Sequence, residues 1–152
     1  MIAYLSGPIE NAHNDGADWR NDITDWLGKE LNHKVFNPVT ETKIFTKDLN
    51  TEDFRLMKTT NPEQYKNIIR QIIQVDLNAV VKGSDYLIVN WDESVCKGGG
   101  THGEVTMAYW FNKPIYMVNK LPIEDVSSWI FSCTEYVFSN FDELKNKLKK
   151  IY

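Results

Sequence analysis

The chain has 152 residues, of which 42% are hydrophobic and 25% are charged, as in an ordinary globular protein. Its net charge is −4, and a protein that follows a phosphate backbone normally has a basic surplus, so we expect no long nucleic acid as a partner. No apolar run is long enough for a membrane span, and the start, MIAYLSGP, lacks a leader pattern. We therefore expect a single cytoplasmic domain over residues 1–152, with Cys96 and Cys133 reduced.

The first 60 residues predict two strands, one helix and a long loop. The strands are the short apolar runs Ile2–Ser6 and Lys34–Phe36, and Asn37-Pro38 stops the second. Between them, apolar residues at spacings of three and four predict a helix over residues 15–31. Residues 39–60 are polar and irregular, which predicts an unusually long loop, such as a lid or a binding loop.

The rest of the chain alternates helices with strands. Asn61-Pro62 is a typical helix start, and the helix that follows is predicted to run to about Val81. The further predicted elements are a strand at Tyr86–Trp91, a helix over residues 101–111, strands at Pro114–Val118 and Tyr136–Phe138, and a helix over residues 142–150. This alternation predicts an α/β fold with a parallel sheet, whose ligand site lies beyond the carboxyl ends of the strands.

Glu104 is the first candidate for chemistry. It follows Gly98-Gly99-Gly100 near the start of a predicted helix, and glycines are used where the backbone must approach a ligand closely. The helix amides there also favour an anionic group. The alternative is that Thr101-x-x-Glu104 is a capping box, which stabilises the helix and does nothing else. The residue types alone leave both interpretations open.

Asp76 is the second candidate, because it lies on the apolar side of its own predicted helix. Ile72, Ile73 and Val80 share that side at spacings of three and four. A carboxylate in such surroundings is costly unless it is paired, hydrogen-bonded or protonated. A carboxyl group with a raised pKa could exchange a proton with the base of a substrate. The alternative is an Asp bonded to a loop amide.

Three further residues are weaker candidates on their own. Asp92 directly follows the strand ending in Trp91 and is either a site residue or a turn residue. Tyr4 lies within the first strand, where most tyrosines belong to the core. Arg20 is placed to reach a phosphate or, more simply, to form an exposed ion pair. The chain has no zinc signature and no phosphate-loop pattern, so we expect no metal and no other cofactor.

Together these positions resemble the nucleoside 2-deoxyribosyltransferase family and its nucleotide N-hydrolase relatives. The pieces are individually unspecific, but they follow the family's order across about three quarters of the chain. They are Tyr4-Leu5-Ser6-Gly7-Pro8-Ile9, Asp15-Gly16, Trp19-Arg20, Asp76-Leu77-Asn78, Ser84-Asp85, Gly100-Thr101 with Glu104, Ala108 and Lys113-Pro114.

The resemblance implies a flavodoxin-like, Rossmann-like three-layer sandwich with a five-stranded parallel sheet in the order 2-1-3-4-5. It also implies cleavage or transfer at the N-glycosidic bond of a 2′-deoxynucleoside or its 5′-monophosphate. Glu104 would attack the anomeric carbon and form a covalent glycosyl intermediate, Tyr4 would position Glu104, and Asp76 would protonate the leaving base. Water or a second base would then take the sugar.

The resemblance further implies which residues contact the substrate: Ser6, Gly7, Pro8, Ile9, Arg20, Asp92, Gly98, Gly100, Thr101 and Ser127. Family members are oligomers in which a neighbour completes each site. We therefore expect a homodimer or a larger homo-oligomer with shared active sites, in which Ser127 lies in the segment that crosses over. The sequence departs from the family at Gly98-Gly99, where many relatives carry an acid or a serine.

Two other functions remain open. The glycine triplet with Glu104 also resembles phosphoribohydrolases of the cytokinin-activating kind, which act on ribonucleotides, but that family does not match at Tyr4–Ile9. The third possibility is a nucleotide-binding module that turns nothing over. Transferase and hydrolase differ in what reaches the intermediate, and the sequence does not separate them.

Overall fold

The computed structural model describes residues 1–48 and 54–152, and across these residues five parallel strands form one sheet in the order β2-β1-β3-β4-β5. The strands are β1 (Ile2–Ser6), β2 (Lys34–Phe36), β3 (Tyr86–Trp91), β4 (Ile115–Asn119) and β5 (Tyr136–Phe138). The α/β class and the order 2-1-3-4-5 are thereby confirmed. The strand order reverses between β1 and β3, which is where such sheets bind ligands.

Helices cover both faces of the sheet. In the described residues they are α1 (Ala17–Leu31), α2 (Pro38–Asp48), α3 (Met57–Thr60), α4 (Pro62–Asn78), α5 (Gly100–Trp110), α6 (Ser128–Cys133) and α7 (Phe141–Ile151). A π-helical turn, Ala79–Gly83, extends α4 toward β3. None of these helices is long and apolar enough to cross a membrane.

The strands send alternate side chains into two separate cores, as the period of two in a strand requires. Leu5 and Ile88 point to one face, where they pack with Ile23 and Leu27 of α1 and with α7. Tyr4, Leu87 and Val89 point to the other face, where they pack with Val105 and Ala108 of α5. The central strand β3 is buried along its whole length, which explains its unbroken apolar run.

The prediction of a loop over residues 39–60 is wrong for the part that the structure describes. Asn37-Pro38 ends β2, and it also begins α2. The Asn37 Oδ1 accepts a hydrogen bond from the Val39 amide at 3.1 Å, and Pro38 occupies the first helical position. The same signal at Asn61-Pro62 begins α4 as predicted. Residues 49–53 of the predicted loop lie outside the described residues.

Candidate active site

A cleft of about 270 Å³ lies at the carboxyl ends of β1 and β3. Its walls come from the loop after β1, from one side of α4, and from the glycine-rich start of α5. Many of the predicted site residues line it, namely Gly7, Pro8, Ile9, Asp76, Gly98, Gly100, Thr101 and Glu104. The cleft therefore lies where the strand order of the sheet reverses, in agreement with the general rule for open α/β sheets.

Glu104 is held by two hydroxyl groups of β1. Glu104 is 8% exposed and lines the cleft. The Tyr4 hydroxyl donates a hydrogen bond to Oε1 at 2.9 Å, and the Ser6 hydroxyl donates one to Oε2. Tyr4 and Ser6 are two residues apart on a strand, so their side chains point to the same face of the sheet. Both carboxylate oxygens are thus fixed by a strand that lies about a hundred residues away in sequence.

This arrangement excludes the capping-box interpretation. The residue that precedes the first turn of α5 is Gly99, and no side chain caps the helix there. The Glu104 carboxylate bonds to β1 instead of to the amides of its own helix. Ser6 was expected to contact substrate, and the structure places its hydroxyl on the carboxylate.

Opposing influences act on the Glu104 carboxyl group. Burial raises the pKa of this group above its usual value, and the hydrogen bonds from Ser6 and Tyr4 and the positive charge of Arg20 offset part of the rise. Hydroxyl donors stabilise the ionised form, because they can bond to a carboxylate without competing for a proton. The pKa of Tyr4 is raised well above its ordinary value, mainly by burial, so this residue remains a hydrogen-bond donor.

Asp76 faces the same cleft from α4 and behaves differently. Burial raises its pKa to about 7, repulsion from Glu104 and Glu41 acts in the same direction, and Arg20 opposes them. Unlike Glu104, this carboxyl group has no hydroxyl donors in the described structure. Two carboxyl groups in one cleft, one held by hydroxyl donors and the other without them, are a usual arrangement for one nucleophile and one acid.

The apolar side of α4 faces the cleft as well as the core. Ile69, Ile72 and Ile73 line the cleft beside Asp76, and Ile73 is 48% exposed. Helical spacing identifies which residues share a face, but it does not say whether that face meets the core or a ligand. The isoleucines, which the sequence placed on the apolar side of the helix, therefore form an apolar wall of the cleft.

Another part of the wall consists of Gly98, Gly99 and Gly100. A Cβ atom added to any of them would meet no described atom within 4 Å, and none of the three has a positive φ. Neither packing nor backbone conformation therefore requires glycine here. Because these three residues have no side chains, the cleft is wide beside them.

Arg20 is not at the cleft surface. The residue is completely buried, and its guanidinium donates to the backbone carbonyl oxygens of the surrounding loop. The acceptors are Leu5 at 3.3 Å, Gly7 at 2.9 Å, Pro8 at 3.2 Å, Asp15 at 3.3 Å and Gly16 at 3.0 Å. The alternative of an exposed ion pair is therefore wrong, and the phosphate contact stays a prediction.

The Arg20 guanidinium instead shapes the loop that carries Gly7, Pro8 and Ile9. Gly16, one of its acceptors, has φ +66°, and a Cβ there would come within 2.6 Å of the Pro8 oxygen. Burial lowers the pKa of Arg20 to about 10, so the group is still positively charged at neutral pH. The loop is thus hydrogen-bonded to a buried, positively charged guanidinium.

Asp92 and Ser127 lie outside the cleft of their own chain. Asp92 lines an adjacent hollow with Trp19 and Lys120, and its Oδ1 accepts a hydrogen bond from the Ser94 amide at 2.9 Å, as in a strand-end turn. The Ser127 hydroxyl caps α6 by accepting a hydrogen bond from the Ile130 amide at 3.2 Å. Within residues 1–48 and 54–152, no three His, Cys, Asp or Glu side chains lie close enough together to hold a metal ion.

Comparisons with known proteins identify solved structures of the same architecture. Neither protein-family models nor curated protein sequences match this chain. A 2-deoxyribosyltransferase from the bacterium Bacillus psychrosaccharolyticus superposes with a TM-score of 0.62 at 14% identity, over 96% of this chain and 91% of that one. A CMP N-glycosidase from Clostridium botulinum superposes with a TM-score of 0.52 at 15% identity, over 97% and 98%. The chain shares their fold. Identities this low show a common architecture and do not by themselves carry the reaction.

Proposed function

We propose that this protein cleaves the N-glycosidic bond of a 2′-deoxynucleoside or its 5′-monophosphate and passes the sugar to water or to a second base. The observation that carries the proposal is the buried Glu104 carboxylate, which Tyr4 and Ser6 hold at the edge of a cleft that also contains Asp76. The two solved enzymes with the same fold lend support, since their names describe deoxyribosyl transfer and N-glycoside cleavage.

In the first step, an oxygen of ionised Glu104 attacks the anomeric carbon, C1′. The new C1′–O bond replaces the C1′–N bond, and the electron pair of the broken bond goes to the nitrogen of the base. Asp76, with its pKa raised to about 7, supplies the proton that this nitrogen needs. The products are a neutral base, an ionised Asp76 and a glycosyl ester on Glu104.

In the second step, water or another base attacks C1′ from the face that the first base has left. The C1′–O bond to Glu104 breaks and returns the electron pair to the carboxylate, while Asp76 takes a proton from the attacking group. Two successive inversions retain the configuration of the sugar. Both carboxyl groups end in their starting states, so the chemistry needs no further co-reactant.

Tyr4 and Ser6 keep the nucleophile in place. Because each donates to a different oxygen of Glu104, the carboxylate cannot rotate freely, and its charge is stabilised in a buried position. The apolar wall of α4 suits the flat face of a base, and the open glycine wall leaves room beside Gly98, Gly100 and Thr101. Arg20 contributes indirectly, because its hydrogen bonds hold the loop that lines the cleft. Asp92 would reach the substrate from the adjacent hollow.

The proposal includes a homo-oligomer in which a neighbouring chain completes the cleft. Ser127 lies outside the cleft of its own chain, so a role in substrate binding requires a second copy. Trp110 and Trp129, which are 75% and 68% exposed, lie on α5 and α6 and give these helices an unusually apolar outer surface. Sedimentation velocity tests this point: a stable monomer at micromolar concentration contradicts the shared site.

The test of the reaction is incubation with a panel of nucleosides, 5′-monophosphates and CMP, with and without a free acceptor base, followed by chromatography. Release of a base in water alone identifies a hydrolase, and a swapped base identifies a transferase. Ribonucleotides cleaved in preference to deoxyribonucleotides would favour the phosphoribohydrolase alternative. Binding without any released base over several hours would favour the non-catalytic module.

Glu104→Ala is expected to fold normally and to lose turnover, because the nucleophile is removed and the remaining cavity is small. The matched control is Glu93→Ala, which removes an exposed glutamate from the loop after β3 and leaves the cleft lining intact. Full activity of Glu104→Ala, or equal loss of activity in both variants, would remove the proposed mechanism.

A further inference from the structure

A second, smaller space lies between α2 and α4. It is lined by Glu41 and Thr42 of α2 and by Ile72, Val75 and Asp76 of α4. Asp76 and Ile72 also line the main cleft, so the Asp76 side chain stands between the two spaces. The other carboxyl group in the smaller space belongs to Glu41, on a segment that sequence reasoning assigned to a loop.

The start of α2 fixes the position of Glu41. Asn37, at the end of β2, accepts hydrogen bonds through its backbone oxygen from the amides of Thr40 at 3.1 Å and Glu41 at 3.2 Å. Glu41 lies in the first turn of α2. Strand β2 pairs directly with β1, which carries Tyr4 and Ser6. The position of Glu41 is therefore fixed relative to the strand that holds the nucleophile.

Three charged groups act on Asp76 from the described elements around it. Glu104 from α5 and Glu41 from α2 repel its ionised form, Arg20 from α1 attracts it, and Tyr4 from β1 is uncharged. Burial and the two carboxylates together raise the pKa of Asp76. The two carboxyl groups share a small space that Ile72 and Val75 also line, and charges interact more strongly across apolar groups than across bulk water.

The proposed mechanism removes one of these two negative charges. When Glu104 becomes a glycosyl ester it is neutral, so its repulsion of ionised Asp76 disappears at the stage where Asp76 has to accept a proton. Glu41 forms no bond in the reaction and keeps its charge throughout. It is therefore the group that still favours protonation of Asp76 in the intermediate.

We propose that Glu41, which shares the small space between α2 and α4 with Asp76, is a positioning residue for proton transfer by Asp76 in both halves of the reaction. This inference rests on the proposed function for its role in turnover. The electrostatic coupling between Glu41 and Asp76 is itself a property of the free protein and can be measured without a substrate.

The test compares Glu41→Gln, which removes the charge and keeps the shape, with Thr42→Val, which alters the same small space without changing charge. The measurements are the pH dependence of kcat and a ¹³C NMR titration of the Asp76 carboxyl carbon. In Glu41→Gln the titration midpoint of Asp76 is expected to fall by about one pH unit. The alkaline limb of kcat follows it, so kcat at pH 8 falls about tenfold while KM changes little.

In Thr42→Val the titration midpoint of Asp76 is expected to equal that of the wild-type protein. In Glu41→Asp, which keeps the charge, the midpoint is expected to lie closer to the wild-type value than to that of Glu41→Gln. An unchanged midpoint in Glu41→Gln, or an equal fall in Thr42→Val, overturns the inference. The NMR titration also separates the two proposals. Absence of turnover in the wild-type protein defeats the proposed function, while a lower midpoint in Glu41→Gln still supports the coupling.

Discussion

Asp76 and Glu104 are both carboxylic acids in one cleft, yet their surroundings differ. Glu104 receives hydrogen bonds from two hydroxyl groups, which favour its ionised form against burial. Asp76 has apolar neighbours and two nearby carboxylates, and its pKa rises to about 7. A carboxyl group whose burial lowers the stability of the protein is expected where it performs chemistry.

The raised pKa of Asp76 predicts how stability depends on pH. The folded protein keeps this proton over a range in which the unfolded chain has lost it, so this group's contribution to the free energy of unfolding is greatest at low pH. It falls as the pH rises from about 4, where an unfolded Asp ionises, to about 7, and changes little above that. Asp76→Asn removes this loss, and we expect it to be more stable than wild type at pH 8 by about 3 kcal/mol and similar at pH 4.

Urea unfolding at the two pH values measures this difference. Asp76→Asn is also expected to lower kcat by about 10²–10⁴-fold, because the amide has no proton to exchange with the base. A variant that shows the same dependence of stability on pH as the wild-type protein would mean that Asp76 is ionised in the folded state at neutral pH.

At the scale of elements, the loop between β1 and α1 is positioned by Arg20. Its guanidinium fork bonds to carbonyl groups from both ends of this loop, so the loop's shape depends on one buried side chain. Lysine keeps the charge but has no fork with which to reach these oxygens. We therefore expect Arg20→Lys to lower the free energy of unfolding by at least about 3 kcal/mol.

Thermal and urea unfolding measure the effect, with Arg55→Lys as the control. Arg55 pairs with Asp15 at 3.0 Å in a partly exposed position, where the same substitution is expected to cost less than about 1 kcal/mol. Equal stability of Arg20→Lys and wild type would show that the loop keeps its shape without the guanidinium.

The glycine wall before α5 supports a prediction about specificity. Gly98 has room for a side chain, so Gly98→Val is expected to fold with nearly unchanged Tm. The added side chain projects into the space beside the cleft, and we expect KM to rise about tenfold with a smaller effect on kcat. Gly103→Ala is the control, since it has similar room on α5 but does not line the cleft. An unchanged KM in Gly98→Val would place the substrate elsewhere.

The elements show where sequence reasoning succeeds and where it does not. Apolar runs and periodicity located the strands and most helices, because each buries a continuous face in one of two cores. They did not locate α2, since Asn37-Pro38 signals a strand end and a helix start equally well. The isoleucine side of α4 was located but not assigned to the cleft, because periodicity carries no information about what a face meets.

For the molecule as a whole, the pattern of strands and helices predicts a parallel sheet, whereas the order 2-1-3-4-5 came from the family resemblance. The contact between Tyr4 and Glu104 spans about a hundred residues and has no local signal. The burial of Arg20 and the approach of Glu41 to Asp76 likewise depend on how distant elements pack. Tertiary contacts of this kind decide residue roles that motifs only suggest.

The central claim is that Glu104 forms a covalent bond to the sugar. A 2′-fluorinated arabinosyl analogue of the nucleoside or nucleotide that the panel identifies slows release of the sugar, so the glycosyl-enzyme accumulates. Intact-protein mass spectrometry followed by peptide mapping locates the added mass. We expect one glycosyl group per chain, on the peptide that contains Glu104, and none in Glu104→Ala. Turnover of the analogue without any adduct, or an adduct on another residue, would contradict the account.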